Sequence, residues 1–142
     1  APTAGVGELA QVAAREVNDA RRRQALEEFK AGALPTVEVQ ERLGRSSLQS
    51  VHVLRSRGKL IGRKVGGATW FPAWQLQGGQ LRDDLPRLLE ALGRFTDDAV
   101  AADRIMRLRR DELGGMSLAE ALDHPKRAAT AWNLLGAVGL GG

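Results

Sequence analysis

The chain has no cysteine, so it offers neither a disulfide framework nor a thiolate metal or redox centre. That absence fits a reducing compartment. No apolar run reaches the roughly 18 residues that a spanning helix needs, so no membrane span is expected. The opening Ala1-Pro2-Thr3-Ala4-Gly5 lacks the basic start and apolar centre of a secretory signal. Histidine is scarce. His52 and His124 stand far apart, without the spacing of a metal-binding pair. Gly62 and Gly67 have the spacing of a phosphate loop, but Ala68 stands where that loop requires lysine. The acid pairs Asp83-Asp84 and Asp97-Asp98 fall at expected helix starts, where they complement the helix dipole rather than form a catalytic dyad. An enzyme is therefore not expected, and neither are catalytic residues, metal ligands or a cofactor.

What the chain does have is unevenly placed charge. Its 142 residues leave room for one domain or two small ones, and its formal net charge is +4. Residues 34–79 hold Arg42, Arg45, Arg55, Arg57, Lys59, Arg63 and Lys64 against only Glu38 and Glu41. Residues 1–33 are balanced, and residues 80–142 are slightly acidic. The whole positive excess lies in one third of the chain, which points to a polyanionic partner for that third.

The same third has the clearest pattern. It reads LPTVEVQERLGRSSLQSVHVLRSRGKLIGRKVGGATWFPAWQL over residues 34–76. A helix is expected after Pro35, capped by Thr36, with Val39 and Leu43 on one face and Gly44 at its end. Ser46 or Ser47 can cap a second helix, whose stripe is Leu48, Val51 and Leu54. Its other face carries Ser47, Gln49, Ser50, Val53 and Arg57, and the short polar members lie in the first turns. Gly58 stops this helix. Residues 59–61 and 69–71 read as two strands around a Gly66-Gly67 tip, with Arg63 and Lys64 just before it. Residues 73–76 read as a further helical turn.

This order resembles the winged helix-turn-helix of the MerR and excisionase group, including the small BldC-type regulators. The shared features are Leu43-Gly44, Val51, Leu54, Gly58-Lys59-Leu60, the Gly66-Gly67 tip and Phe71-Pro72. The resemblance implies double-stranded DNA as partner, with the second helix in a major groove and the wing on flanking phosphates. The residues expected at DNA are Thr36, Arg45, Ser46, Ser47, Gln49 and Ser50, with Val53, Arg57, Lys59, Arg63, Lys64 and Thr69 beyond them.

The flanks read as helical. Residues 6–31 repeat apolar positions around Arg21-Arg22-Arg23, either as a helix packed on the DNA-binding unit or as a dimerisation arm. Beyond residue 80, Asp84 can cap a helix to about Leu92. Thr96 or Asp97 opens another to about Arg110, with Val100, Ile105 and Leu108 apolar. Gly114-Gly115 breaks the chain, and Ser117 with Glu120 forms a capping box. A last helix from about Pro125 carries Ala128, Ala129, Trp132 and Leu135, before a loose Gly139-Leu140-Gly141-Gly142 tail. The run 101–106, the Leu113-Gly114-Gly115 loop and Ser117-Leu118-Ala119-Glu120-Ala121-Leu122 are similar to the Xre/MbcA/ParS toxin-binding domain. That resemblance implies dimerisation and a toxin partner. A helical dimerisation domain without a toxin is the other reading.

The expected protein is mainly α with a small β wing. It has an N-terminal helical arm (1–33), a winged helix-turn-helix (34–79) and a helical dimerisation or partner-binding domain (80–142). It is expected in the cytoplasm, at the nucleoid, as a homodimeric bacterial transcriptional regulator. The alternatives are an antitoxin repressing its own operon and an architectural phage or plasmid factor.

Overall fold

The N-terminal helical pattern becomes one helix, α1 (Pro2–Ala31), 30 residues long. The structure, a computed structural model, describes the backbone of residues 2–140 and the side chains of residues 7–136. From Gly7 to Gln24 every residue of α1 is exposed. Only its last turns, with Ala25, Leu26 and the fully buried Phe29, meet the rest of the protein. The packed-helix reading therefore holds for residues 25–31 and not for the stretch before them.

Behind α1 the chain forms β1 (Ala33–Pro35), α2 (Thr36–Leu43) and α3 (Leu48–Ser56), then β2 (Arg63–Val65) and β3 (Ala68–Pro72). The three strands make an antiparallel sheet in the order β1-β3-β2, with Leu34 opposite Phe71 and Lys64 opposite Thr69. Leu34, Val39, Val51, Leu54, Leu60 and Phe71 bury against one another in the space between sheet and helices.

Three expectations in this region need correction. Thr36 does not cap α2. Pro35 holds the cap position, and the Thr36 hydroxyl instead donates to the Thr69 carbonyl at 3.3 Å. Leu48 is exposed, while Val51 and Leu54 are buried. Successive steps of three residues drift about 60° around a helix, which carries Leu48 about 120° from Leu54 and, in the first turn, off the buried side. The first hairpin strand is Arg63–Val65, not residues 59–61. Residues 59–61 form a loop held by Gln75, whose amide nitrogen donates to the Ile61 and Pro72 carbonyls and whose oxygen accepts from the Ile61 N–H. Gly62 follows, and a Cβ there would stand 2.6 Å from the Phe71 ring, so glycine is required by close approach. The helical turn expected at residues 73–76 is present as a single 3₁₀ turn at Ala73–Gln75. It leads into a hairpin of β4 (Leu76–Gln77) and β5 (Gln80–Leu81).

The remainder is helical: α4 (Leu85–Gly93), α5 (Ala99–Arg107), α6 (Leu118–Leu122) and α7 (Ala128–Leu140). Gly141-Gly142 of the expected loose tail lie outside the described residues, and α7 runs through Leu140. Leu85, Leu88, Leu92, Met106, Leu113, Leu118 and Leu135 lead a second, larger core, onto which Ile61, Trp74 and Leu81 also pack. The Ser117–Glu120 capping box forms as expected. Asp84 makes no cap bond, because both its oxygens bind the buried Arg82, which also binds Asp123. Burial alone would lower the pKa of Arg82, but these two carboxylates carry it above the ordinary arginine value. Helix α5 starts at Ala99 with Asp98 as cap, and it ends at Arg107 rather than near Arg110. Its buried face is Ala99, Ala102, Asp103 and Met106. Val100 and Ile105 are half-buried and Leu108 is exposed. On α7, Ala131 and Leu135 are buried and Trp132 is half-buried.

The described residues are thus mainly helical with a small antiparallel sheet, as the sequence led us to expect. No described helix is long and apolar enough to cross a membrane.

Candidate nucleic-acid interface

Helix α3 is built to present its first turn. Ser47, not Ser46, caps it: the Ser47 hydroxyl accepts from the Ser50 N–H at 3.2 Å, and the Ser50 hydroxyl donates to the Ser47 carbonyl at 2.7 Å. Both hydroxyls keep acceptor capacity. The cap satisfies a donor that would otherwise be orphaned and fixes the helix start. Val51 and Leu54 anchor the helix inward. Gln49 is exposed and makes no side-chain hydrogen bond among the described residues, while His52 and Val53 are half-buried on the flank. With Arg55 and Ser56 these three line a shallow depression of about 500 Å³ along the helix.

The expected cations occupy three places. Arg45 and Ser46 are exposed in the turn between α2 and α3, where the Gln40 amide braces the Arg45 carbonyl at 3.2 Å. Arg57 and Lys59 are exposed on either side of Gly58, beyond the end of α3. Arg63 and Lys64 lie on β2, exposed, just before the tip, where Gly66 takes a φ of 66°. Arg55 joins the end of α3 to the start of the hairpin, its Nε donating to the Gly62 carbonyl at 3.3 Å. Lys64 and Thr69 face each other across the strands, and Thr36 bonds to Thr69, so these three expected residues form one local group. Ser47 and Ser50 form a second.

Arg63 departs from expectation. Its guanidinium bonds to Asp98 at 3.0 Å, the same carboxylate that caps α5. Arg63 therefore ties the hairpin to the C-terminal helices instead of standing free. With both partners about half exposed, the pair is worth at most about 1 kcal/mol.

A second tie is more deeply placed. The Trp74 indole N–H donates to the buried Asp103 at 2.9 Å, and Arg107 donates to Asp103 at 3.1 Å and to the Glu28 carbonyl at 2.8 Å. One carboxylate thus joins the segment after the hairpin, α5 and the end of α1. Burial pushes the Asp103 pKa up, and the bonds from Trp74 and Arg107 offset this only in part. The sequence placed Asp98 at a helix start but did not show its bond to Arg63, nor the roles of Asp103 and Gln75. The bonds Arg63–Asp98, Trp74–Asp103 and Gln75–Ile61 span 14 to 35 residues, so no local pattern carries them.

Groove-reading chemistry needs exposed amides, hydroxyls and cations on a rigid helix beside further cations, and this arrangement supplies them. Among the described residues no cluster of His, Cys, Asp and Glu could hold a metal ion. No family model, curated protein or solved structure matches the chain.

Proposed function

We propose that the chain is a sequence-specific DNA-binding protein of the winged helix-turn-helix kind, a bacterial transcriptional regulator. The observation that carries this is the capped α3, with Ser47, Gln49 and Ser50 in its first turn, lying within residues 34–79, where seven basic side chains stand against two acids. In this reading α3 enters a major groove, with Gln49 placed for base edges. Lys64, Arg45, Arg57 and Lys59 hold flanking phosphates. Arg63 reaches phosphate only by leaving Asp98.

A second reading is an antitoxin that represses its own operon. It is favoured by the segment around Gly114-Gly115 and the Ser117–Glu120 capping box, which resembles a toxin-binding domain. It also requires DNA binding, so one experiment serves both. Duplex binding is titrated across salt concentrations for the parent and for Arg63→Ala/Lys64→Ala. The parent should bind with a strongly negative slope of log affinity against log salt. The double variant should lose about 1–2 of that slope, since each phosphate contact contributes roughly 0.9. A parent that binds no duplex at low salt would end both readings.

A further inference from the structure

Helix α1 carries large apolar side chains that its own chain does not cover. Leu9 is 72 % exposed, Val12 52 % and Val17 50 %. At about 100° per residue, Leu9 lies about 160° around the helix from Phe29, the residue that anchors α1 to the body. Ala13, Val17 and Ala20 fall on the Leu9 side. The stripe therefore faces away from the anchored side and cannot fold back on this body. A helical stretch such as residues 7–24, exposed at every position, is marginal in water, because most helix stability comes from burying an apolar face.

We infer that this stripe is the docking surface for a second copy of the chain, with the two α1 helices antiparallel. Charge selects both the occupant and the direction. Between residues 7 and 19, α1 holds Glu8, Glu16 and Asp19 against Arg15 alone, and Arg21-Arg22-Arg23 follows without an acid until Glu27. A parallel pair would stack the three arginines on their own copies. An antiparallel pair crossing near Arg15 brings Glu8 within a residue of level with Arg23 of the other copy, twice by symmetry, and Arg23 is the arginine of the three that lies beside the stripe, about 40° from Leu9. The helix is thus complementary to itself in one direction only, as a twofold interface requires. The two bodies then sit at opposite ends of the pair, with their Phe29 anchors about 40 Å apart at about 1.5 Å per residue. This places two copies without using residues 34–79, so it stands or falls independently of DNA binding.

The test uses the full chain without DNA. The chain should sediment as a dimer at tens of micromolar. Leu9→Glu/Val12→Glu, changed only at exposed sites, should self-associate at least about tenfold more weakly, equivalent to about 1.4 kcal/mol. Because the chain has no cysteine, introduced thiols report direction cleanly. An oxidised mixture of Leu9→Cys and Ala20→Cys chains should give mixed disulfide dimers. Leu9→Cys alone should not link to itself, since its two copies lie about 18 Å apart along the pair. A monomeric parent, a dimer that survives Leu9→Glu/Val12→Glu, or efficient self-linking of Leu9→Cys would each overturn the inference.

Discussion

Two cores of unequal size lie side by side. The one among residues 34–71 has six buried side chains, and the one among residues 85–135 has twelve. The smaller belongs to the basic stretch and the larger to the near-neutral stretch. In the first, a three-stranded sheet and two short helices leave an outer surface of serine, glutamine and cations. In the second, four helices turn leucine, methionine and alanine inward. The difference teaches that the stretch with the candidate interface is not the one best able to stabilise itself. It relies on its neighbour through Ile61, Trp74 and Leu81, which pack into the larger core, and through the Arg63–Asp98 and Trp74–Asp103 ties.

The largest effect expected from breaking that arrangement comes from Phe71→Ala. Phe71 is fully buried at the centre of the small core, and its loss should cost about 3–5 kcal/mol. Because Leu81 packs on both cores and Arg63–Asp98 and Trp74–Asp103 tie them, thermal unfolding should move as one transition, seen equally by helix signal and by amide exchange in α5 and α7. Two separate transitions would show that the units are independent.

A smaller effect concerns Asp103, the carboxylate shared by both units. Burial raises its pKa in the folded state above the ordinary 3.8. The fold thus holds this proton more tightly than the unfolded chain does. Its titration contributes stability that is full below 3.8 and is lost as pH rises through the raised value. Asp103→Asn removes that dependence. The stability of parent minus variant should therefore fall as pH rises from below 3.8. A difference that grows with pH would mean that Arg107 and Trp74 outweigh burial.

What could be read in the sequence was local. Ser47 bonds three residues ahead, the Ser117–Glu120 box spans four positions, and the Gly66-Gly67 tip sits between adjacent strands. Each signal and its partner lie within one turn. What escaped was long-range or weakly marked. β1, β4 and β5 are two or three residues long, too short for alternation to show, and β1 exists only because β3 pairs with it. The buried face of α5 is largely alanine, which signals less than the branched Val100, Ile105 and Leu108 that lie off that face. Gln75 is buried and polar, and no apolar pattern predicts a glutamine standing in for a strand ladder. Within the candidate interface, the exposure of Gln49, Arg57 and Lys64 followed from pattern, whereas the capture of Arg63 by Asp98 did not.

The most direct test of the account is base reading by α3. Gln49 is exposed on the capped first turn and takes no part in either core. Duplexes selected from a random pool by the parent and by Gln49→Ala should therefore differ at one or two adjacent base pairs. The parent's discrimination there should fall by about 1–3 kcal/mol, while the rest of the site and the fold stay unchanged. Identical selected sites would contradict the claim that α3 reads DNA through this side chain, and a parent that selects no site would contradict sequence-specific binding altogether.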